Sequence, residues 1–167
     1  TDPGTVENGG NYCHASSFMM NALCQAGRVD DALDLFGRLV PTNPNNPPAR
    51  SRQEPFSVTN CYRGPAAGES AGRGHFSWRT GTAGWMVRTA VEGIMGIRAT
   101  LAGLEISGRL PTQWDKAQVK RKYRGRLVTI QFNRTGRQML AIDGRRIEGN
   151  TIPADQIRDG SVVTVEM

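Results

Sequence analysis

A chain of 167 residues is long enough for one domain, or two small ones, with an apolar core. Its hydrophobic fraction of 38% is low for a compact globule, and 20 glycines and 9 prolines signal many loops. A net charge of +6 is modest for a nucleic-acid binder, and no apolar run is long enough to cross a membrane. No signal peptide is visible. Cys13, Cys24 and Cys61 have no metal-ligand spacing and cannot all pair with one another, which fits free thiols in a reducing, cytoplasmic setting. The chain opens at Thr1 in a loop-like stretch and reads as part of something larger.

Residues 1–13 are turn-like, with Asp2-Pro3-Gly4 and then Glu7-Asn8-Gly9-Gly10. Ala15, Phe18, Met19, Ala22, Leu23 and Ala26 then fall at helical spacing, and Gly27 ends the run. A second helix follows, with Asp30 and Asp31 at its start, an apolar stripe of Val29, Ala32, Leu33, Phe36, Leu39 and Val40, and Pro41 just beyond. Two such helices joined by a tight turn make an antiparallel pair. Residues 41–76 read as long loops, with Phe56-Ser57-Val58-Thr59 a short extended piece. From Ala83 to Met95 apolar residues point nearly all round, which predicts a buried helix. After residue 97 the pattern turns to period two: strands are expected over 101–106, 119–123, 126–132, 138–142 and 161–167, with a hairpin at Asp143-Gly144. The whole is α+β, with helices and loops over 1–97 and an antiparallel β module over 98–167.

Ser77-Trp78-Arg79-Thr80-Gly81-Thr82-Ala83-Gly84-Trp85 carries the most chemical interest. Thr and Gly before a helix cap it or let a ligand approach the backbone. The first turn of a helix offers spare N–H donors and a partial positive charge, so an anion suits it, and Arg79 could clamp one. Local sequence alone favours an ordinary N-cap, since Ser, Thr and Gly caps are common. His14 opens the first helix, where a cationic imidazole is disfavoured unless an anion is near; a capping or core role is equally open. Glu7 is either a sugar-hydroxyl acceptor or a solvated carboxylate. The basic run Lys116, Lys120, Arg121, Lys122, Arg124, Arg126 would be a phosphate stripe in a nucleic-acid binder. On a strand its members diverge, which favours a solvated or ion-paired face. No zinc spacing, phosphate-binding Gly-Lys loop or nucleophile elbow is present.

Several ordered motifs together closely resemble the C-terminal part of the inverting β-glycoside phosphorylases. They are Glu7-Asn8-Gly9-Gly10-Asn11-Tyr12-Cys13-His14, Asn60-Cys61-Tyr62-Arg63-Gly64-Pro65, Gly72 to Met86 and Glu92-Gly93-Ile94-Met95-Gly96-Ile97-Arg98. Leu110-Pro111-Thr112-Gln113-Trp114-Asp115, Lys120 to Gly125 and Ile142-Asp143-Gly144 continue the likeness through the tail. That family, glycoside hydrolase family 94, holds the cellobiose and chitobiose phosphorylases and the phosphorylase-like domain of cyclic β-1,2-glucan synthases.

The resemblance implies the last helices of an (α/α)6 barrel over 1–97 and a C-terminal β-sandwich-like domain over 98–167. It implies cleavage of a β-glucosidic bond by inorganic phosphate as co-substrate, with inversion to an α-sugar 1-phosphate and no other cofactor or metal. The geometry is that of an inverting glycosidase with phosphate in place of water. By resemblance His14, Thr80 and Gly81 match phosphate-holding residues and Glu7 matches an acceptor-sugar residue. The family's pocket uses a glutamine about twenty residues before the Thr-Gly pair, where this chain has Asn60-Cys61-Tyr62. The general acid and the arginines completing the phosphate site are expected upstream of Thr1, so no catalytic acid is expected within the 167 residues. Expected partners are a β-linked disaccharide or gluco-oligosaccharide, phosphate and the N-terminal remainder of the protein; a homodimer is compatible, and nucleic acid is not expected. A parent of the glucan-synthase kind would be associated with the inner membrane. The competing readings are a non-catalytic carbohydrate-binding β module engaging glycan through Trp114, the chain-length-controlling domain of a glucan synthase, and a basic nucleic-acid module.

Overall fold

The computed structural model describes residues 1–167, which divide into two compact units, Thr1–Ala90 and Val91–Met167. Helices dominate the first and sheets the second, the segregated arrangement of an α+β chain. No helix is long and apolar enough to cross a membrane.

The first unit is built on α1 (Cys13–Gln25) and α2 (Val29–Leu39), which pack together. Gly27 ends α1 as the sequence pattern requires. Its φ of 77° lets Gly27 N–H reach Cys24 O and Arg28 N–H reach Leu23 O, closing a Schellman motif. Asp30 and Asp31 lie in the first turn of α2 and Arg38 in its last, each complementing the helix dipole. The face of α1 that is buried differs from the expected stripe. Cys13, Ser17, Met20 and Leu23 face the core, while Phe18 and Met19 are 45% and 53% exposed. Two apolar stripes run along this helix, and periodicity alone does not say which is covered.

A short helix α3 (Pro48–Ser51) and a 3₁₀ segment, Pro65–Ser70, punctuate the long loops. Three two-residue strands, β1 (Asn11–Tyr12), β2 (Cys61–Tyr62) and β3 (Gly74–His75), form a small antiparallel sheet in the order β1-β2-β3. The extended piece expected at 56–59 falls instead at β2. Helix α4 (Thr82–Arg88) runs on into a π-helical turn, Thr89–Ile94. Of the helix expected to be buried all round, these 167 residues cover one side: Thr82 and Met86 are buried, Val87 is 65% exposed and Ala83 and Gly84 are open. Within its unit α4 packs on α1, so only one side of an all-round apolar helix is covered.

The second unit holds two sheets. One is three-stranded, β10-β5-β4, from β4 (Ile97–Ala99), β5 (Gly103–Ile106) and β10 (Thr151–Pro153). The other is five-stranded, β6-β7-β11-β8-β9, from β6 (Lys116–Tyr123), β7 (Arg126–Asn133), β8 (Met139–Ile142), β9 (Arg145–Ile147) and β11 (Val162–Glu166). Ile97, Leu104 and Ile152 of the first share one core with Val128, Ile130, Phe132 and Val163 of the second. The module is not wholly antiparallel: β11 runs parallel to β7, with Val163 opposite Ile130, and antiparallel to β8. The hairpin at Asp143-Gly144 forms as its residues dictate, both with positive φ and Ile142 opposite Arg145. A second two-residue turn, Arg124-Gly125, joins β6 to β7.

Alternation along β6 splits the basic run as strand geometry requires. Lys116, Lys120 and Lys122 face solvent, while Arg121 donates to Ile97 O at 2.6 Å. Arg124 donates to Leu101 O and Arg126 to Ile157 O. These guanidinium groups satisfy backbone carbonyls of their own unit, so the run is not a continuous phosphate stripe. Trp114 packs against the core instead of standing free as a glycan platform.

Candidate functional site

The small sheet β1-β2-β3 is the frame of the site. The turn bearing Glu7 enters β1, and His14 leaves it as the second residue of α1. Asn60 enters β2, Gly64 leaves it, and β3 leads into Ser77-Trp78-Arg79-Thr80-Gly81. Two-residue strands bury little, so backbone hydrogen bonds and close glycine contacts do the fixing. Tyr12 pairs with Cys61, Cys13 N–H donates to Asn60 O at 2.8 Å, and Asn60 N–H donates to Phe76 O at 3.3 Å.

His14 and Gly81 lie against each other. A Cβ placed on Gly81 would sit 2.7 Å from His14 Nε2 and 3.0 Å from Cε1. Gly81 has an ordinary φ of −79°, so the absence of a side chain matters here for space and not for backbone freedom. The imidazole is half-buried and held from the sides by Phe18, 4.8 Å between ring centroids, and by Tyr12 edge-on at 6.0 Å. Phe18 in turn meets Trp85 of α4 edge-on at 4.8 Å. Thus α1 and α4 present His14 and Gly81 through a chain of ring contacts.

Thr80, next to Gly81, is fixed by three contacts at its hydroxyl. Its Oγ1 donates to Asn60 Oδ1 at 3.0 Å and accepts from Thr82 N–H at 3.0 Å. Thr82 Oγ1, fully buried, lies 2.6 Å away. Thr80 therefore satisfies one of the free donors that every helix start presents. Asn60 is the residue that local sequence reasoning undervalues. It stands twenty residues before Thr80, and only the strand pairing brings its amide to that hydroxyl.

Glu7 lies in a separate, exposed turn. Thr5 and Asn8 bridge across it, Gly10 N–H donates to Val6 O at 3.0 Å, and Gly64 N–H donates to Gly4 O at 2.8 Å. A Cβ on Gly64 would meet Gly9 O at 2.0 Å, so this turn and the loop after β2 require glycine to lie together. Val6 takes φ 43°, a strained value for a β-branched residue, immediately before Glu7. Arg79 is exposed. Beneath the frame, Cys13 and Cys61 are buried free thiols. Burial, and then the neighbouring Cys61, push the Cys13 thiol up to about 12, so it is protonated and unreactive at neutral pH.

In class, the geometry sets an imidazole against a glycine, beside a tethered hydroxyl, at the start of a short helix. The family is then given by likeness. The model of the glycosyl hydrolase 94 superfamily catalytic domain matches residues 1–96, and the chain belongs to that family. It is 39% identical over 99% of its length to a solabiose phosphorylase of Paenibacillus borealis. It is 38% identical over 98% to a 3-O-beta-D-glucopyranosyl-beta-D-glucuronide phosphorylase of the same organism. It is 35% identical over 79% to the cyclic beta-(1,2)-glucan synthase NdvB of Rhizobium meliloti (strain 1021). The chain spans 22% of each of the first two relatives and 5% of the third.

Proposed function

We propose that these residues are the C-terminal part of a β-glycoside phosphorylase-type enzyme, and that His14, Thr80 and Gly81 hold its inorganic phosphate. In this reading residues 1–97 complete an (α/α)6 barrel and residues 98–167 form a β-sandwich-like C-terminal domain. The observation that carries it is the approach of His14 Nε2 to the Gly81 backbone beside the tethered Thr80 hydroxyl. Phosphate seated there attacks the anomeric carbon from the face opposite the leaving sugar. The C–O bond to the acceptor sugar breaks, a carboxylic acid elsewhere in the protein protonates that oxygen, and an α-sugar 1-phosphate leaves. Phosphate is already nucleophilic, so positioning and charge stabilisation are what the chain must supply. Glu7, on its strained turn, binds a hydroxyl of the acceptor sugar.

The test is release of sugar 1-phosphate from β-linked disaccharides by the full-length protein in phosphate buffer. Activity is expected from the full-length protein and none from the 167-residue chain alone. Full-length protein that hydrolyses these substrates to free sugar, with no phosphate dependence, would overturn the reading. A second reading, a glycan-binding β module, has one observation in its favour: a cleft of about 390 Å³ lined by Ser107, Gln138, Arg146, Glu148, Asn150 and Glu166. Similarity to the glucan synthase supports a variant of the first reading, in which the same site trims a growing β-glucan and sets its length.

A further inference from the structure

The loops beside Thr80 hold a second group of residues that the phosphate reading leaves unused. Trp78 and Phe56 are 71% and 77% exposed, and their rings lie 6.4 Å apart at 51° to each other. They form the sides of an open V instead of a closed stack. Neither ring is there by accident of a loose loop. Phe56 sits at the third position of a turn, Glu54-Pro55-Phe56-Ser57, closed by Ser57 N–H to Glu54 O at 3.2 Å, with Pro55 presetting the second position. Trp78 donates its indole N–H to Glu54 Oε1 at 3.2 Å, which fixes the ring edge and leaves its faces open.

The Glu54 carboxylate that holds Trp78 is itself built in. Gln53, which is buried, donates Nε2 to Glu54 Oε2 at 2.9 Å and Ser57 Oγ donates to the same oxygen at 3.0 Å. Ser77 Oγ reaches Oε1 at 3.5 Å, and Gln53 Nε2 also contacts Ser57 Oγ. Its own backbone N–H and then Ser57 hold the Glu54 carboxyl below the usual carboxylate range, against an opposing effect of burial, with lesser help from Trp78 and Ser77. The Glu54 turn and the Ser77-Trp78 segment are thus locked together, and these 167 residues leave faces of both rings uncovered, rimmed by hydroxyls and a carboxylate. The uncovered ring faces suit an occupant that is flat and apolar on one side and hydroxylated at its edges. A pyranose ring has that form.

We propose that Trp78 and Phe56, oriented by Glu54, are a sugar-binding subsite for a further β-linked glucopyranosyl unit of an oligosaccharide held at the Thr80 site. The proposal rests on the carbohydrate reading above and extends it to substrate length. Trp78 is two residues from Thr80, so the backbone separates the two by at most about 7 Å. A β-gluco-oligosaccharide engaged at one passes beside the other. Glu54 is a positioning residue, acting through the indole.

The experiment uses the full-length protein and its Trp78→Ala, Phe56→Ala and Trp78→Phe variants. Tryptophan fluorescence is titrated with short and long linear β-gluco-oligosaccharides of β-1,2, β-1,3 and β-1,4 linkage, and phosphorolysis of a disaccharide is followed in parallel. Trp78→Ala is expected to weaken binding of the long oligosaccharides about tenfold, with Trp78→Phe retaining most of it. Disaccharide phosphorolysis is expected to fall by less than the binding of long oligosaccharides. Equal binding of long oligosaccharides by wild type and Trp78→Ala overturns the subsite. So does wild-type Trp78 shielded from an aqueous quencher, since the rest of the protein would then cover the V. Absence of sugar 1-phosphate release defeats the phosphorylase reading alone, because the fluorescence titration still decides the subsite.

Discussion

The two units hold themselves together by opposite means. The second buries a contiguous set of β-branched and aromatic side chains, with Val128, Ile130, Ile152, Ile157 and Val163 wholly inaccessible and Phe132 nearly so. The first has a smaller core, of Cys13, Met20, Leu39, Tyr62 and Met86, and fixes its loops by glycine contacts and hydrogen bonds to hydroxyls and amides. A hydrophobic core tolerates drift in any one contact, whereas a polar frame sets atoms to fractions of an ångström. The candidate site lies in that less apolar unit, where directional hydrogen bonds do the fixing.

Substitutions should therefore separate stability from activity along the same line. The largest stability loss is expected from Phe132→Ala, about 3–5 kcal/mol in chemical denaturation of the second unit. Next, Gly81→Ala places a methyl 2.7 Å from His14 Nε2, pushing the imidazole aside, and is expected to lower phosphorolysis by the full-length protein about 100-fold with little change in melting temperature. Asn60→Ala releases the Thr80 hydroxyl and is expected to cost about 1 kcal/mol of stability and roughly tenfold in activity, read from parallel melts and rates.

The pH response of the first unit should come from its buried thiol and phenol. Cys13 is raised to about 12 from 9.0 by burial and then by Cys61, and Tyr62 to about 12 from 10.0 by burial and then by Cys13. In the unfolded chain both ionise at their ordinary values, so their contribution is fully present below pH 9.0 and is lost as pH rises towards about 12. Melting temperature is expected to fall over that window, and less steeply in Cys13→Ala. Within the basic run the residues should separate: Arg121→Ala, which strips Ile97 O of its donor, is expected to cost about 1–3 kcal/mol, and the smallest effect belongs to Lys120→Ala, within about 0.5 kcal/mol of wild type by chemical denaturation.

How much of this was legible in the sequence varies with the range of the interaction. Gly27 and Pro41 bounded the first two helices, and Asp143-Gly144 marked its hairpin, because those signals act within a few residues. The turn at Arg124-Gly125 escaped notice because an arginine at φ 49° is an uncommon choice. The parallel pairing of β11 with β7 was hidden, since alternation identifies a strand and not its neighbour. Helix α1 offered two apolar stripes, and only packing showed that Met20 lies inside and Phe18 largely outside. The nearness of His14 to Gly81 came to the sequence reading through family motifs. No local pattern links a residue after β1 with one after β3, and the three-strand frame that joins them is too short to leave a periodic trace.

The most direct test is the phosphate dependence of Thr80→Val in the full-length protein, measured beside binding of a β-glucoside without phosphate. An oxyanion site at His14, Thr80 and Gly81 predicts that kcat/KM for phosphate falls about 100-fold while sugar binding is unchanged. An unaltered phosphate dependence in a folded Thr80→Val protein would contradict it.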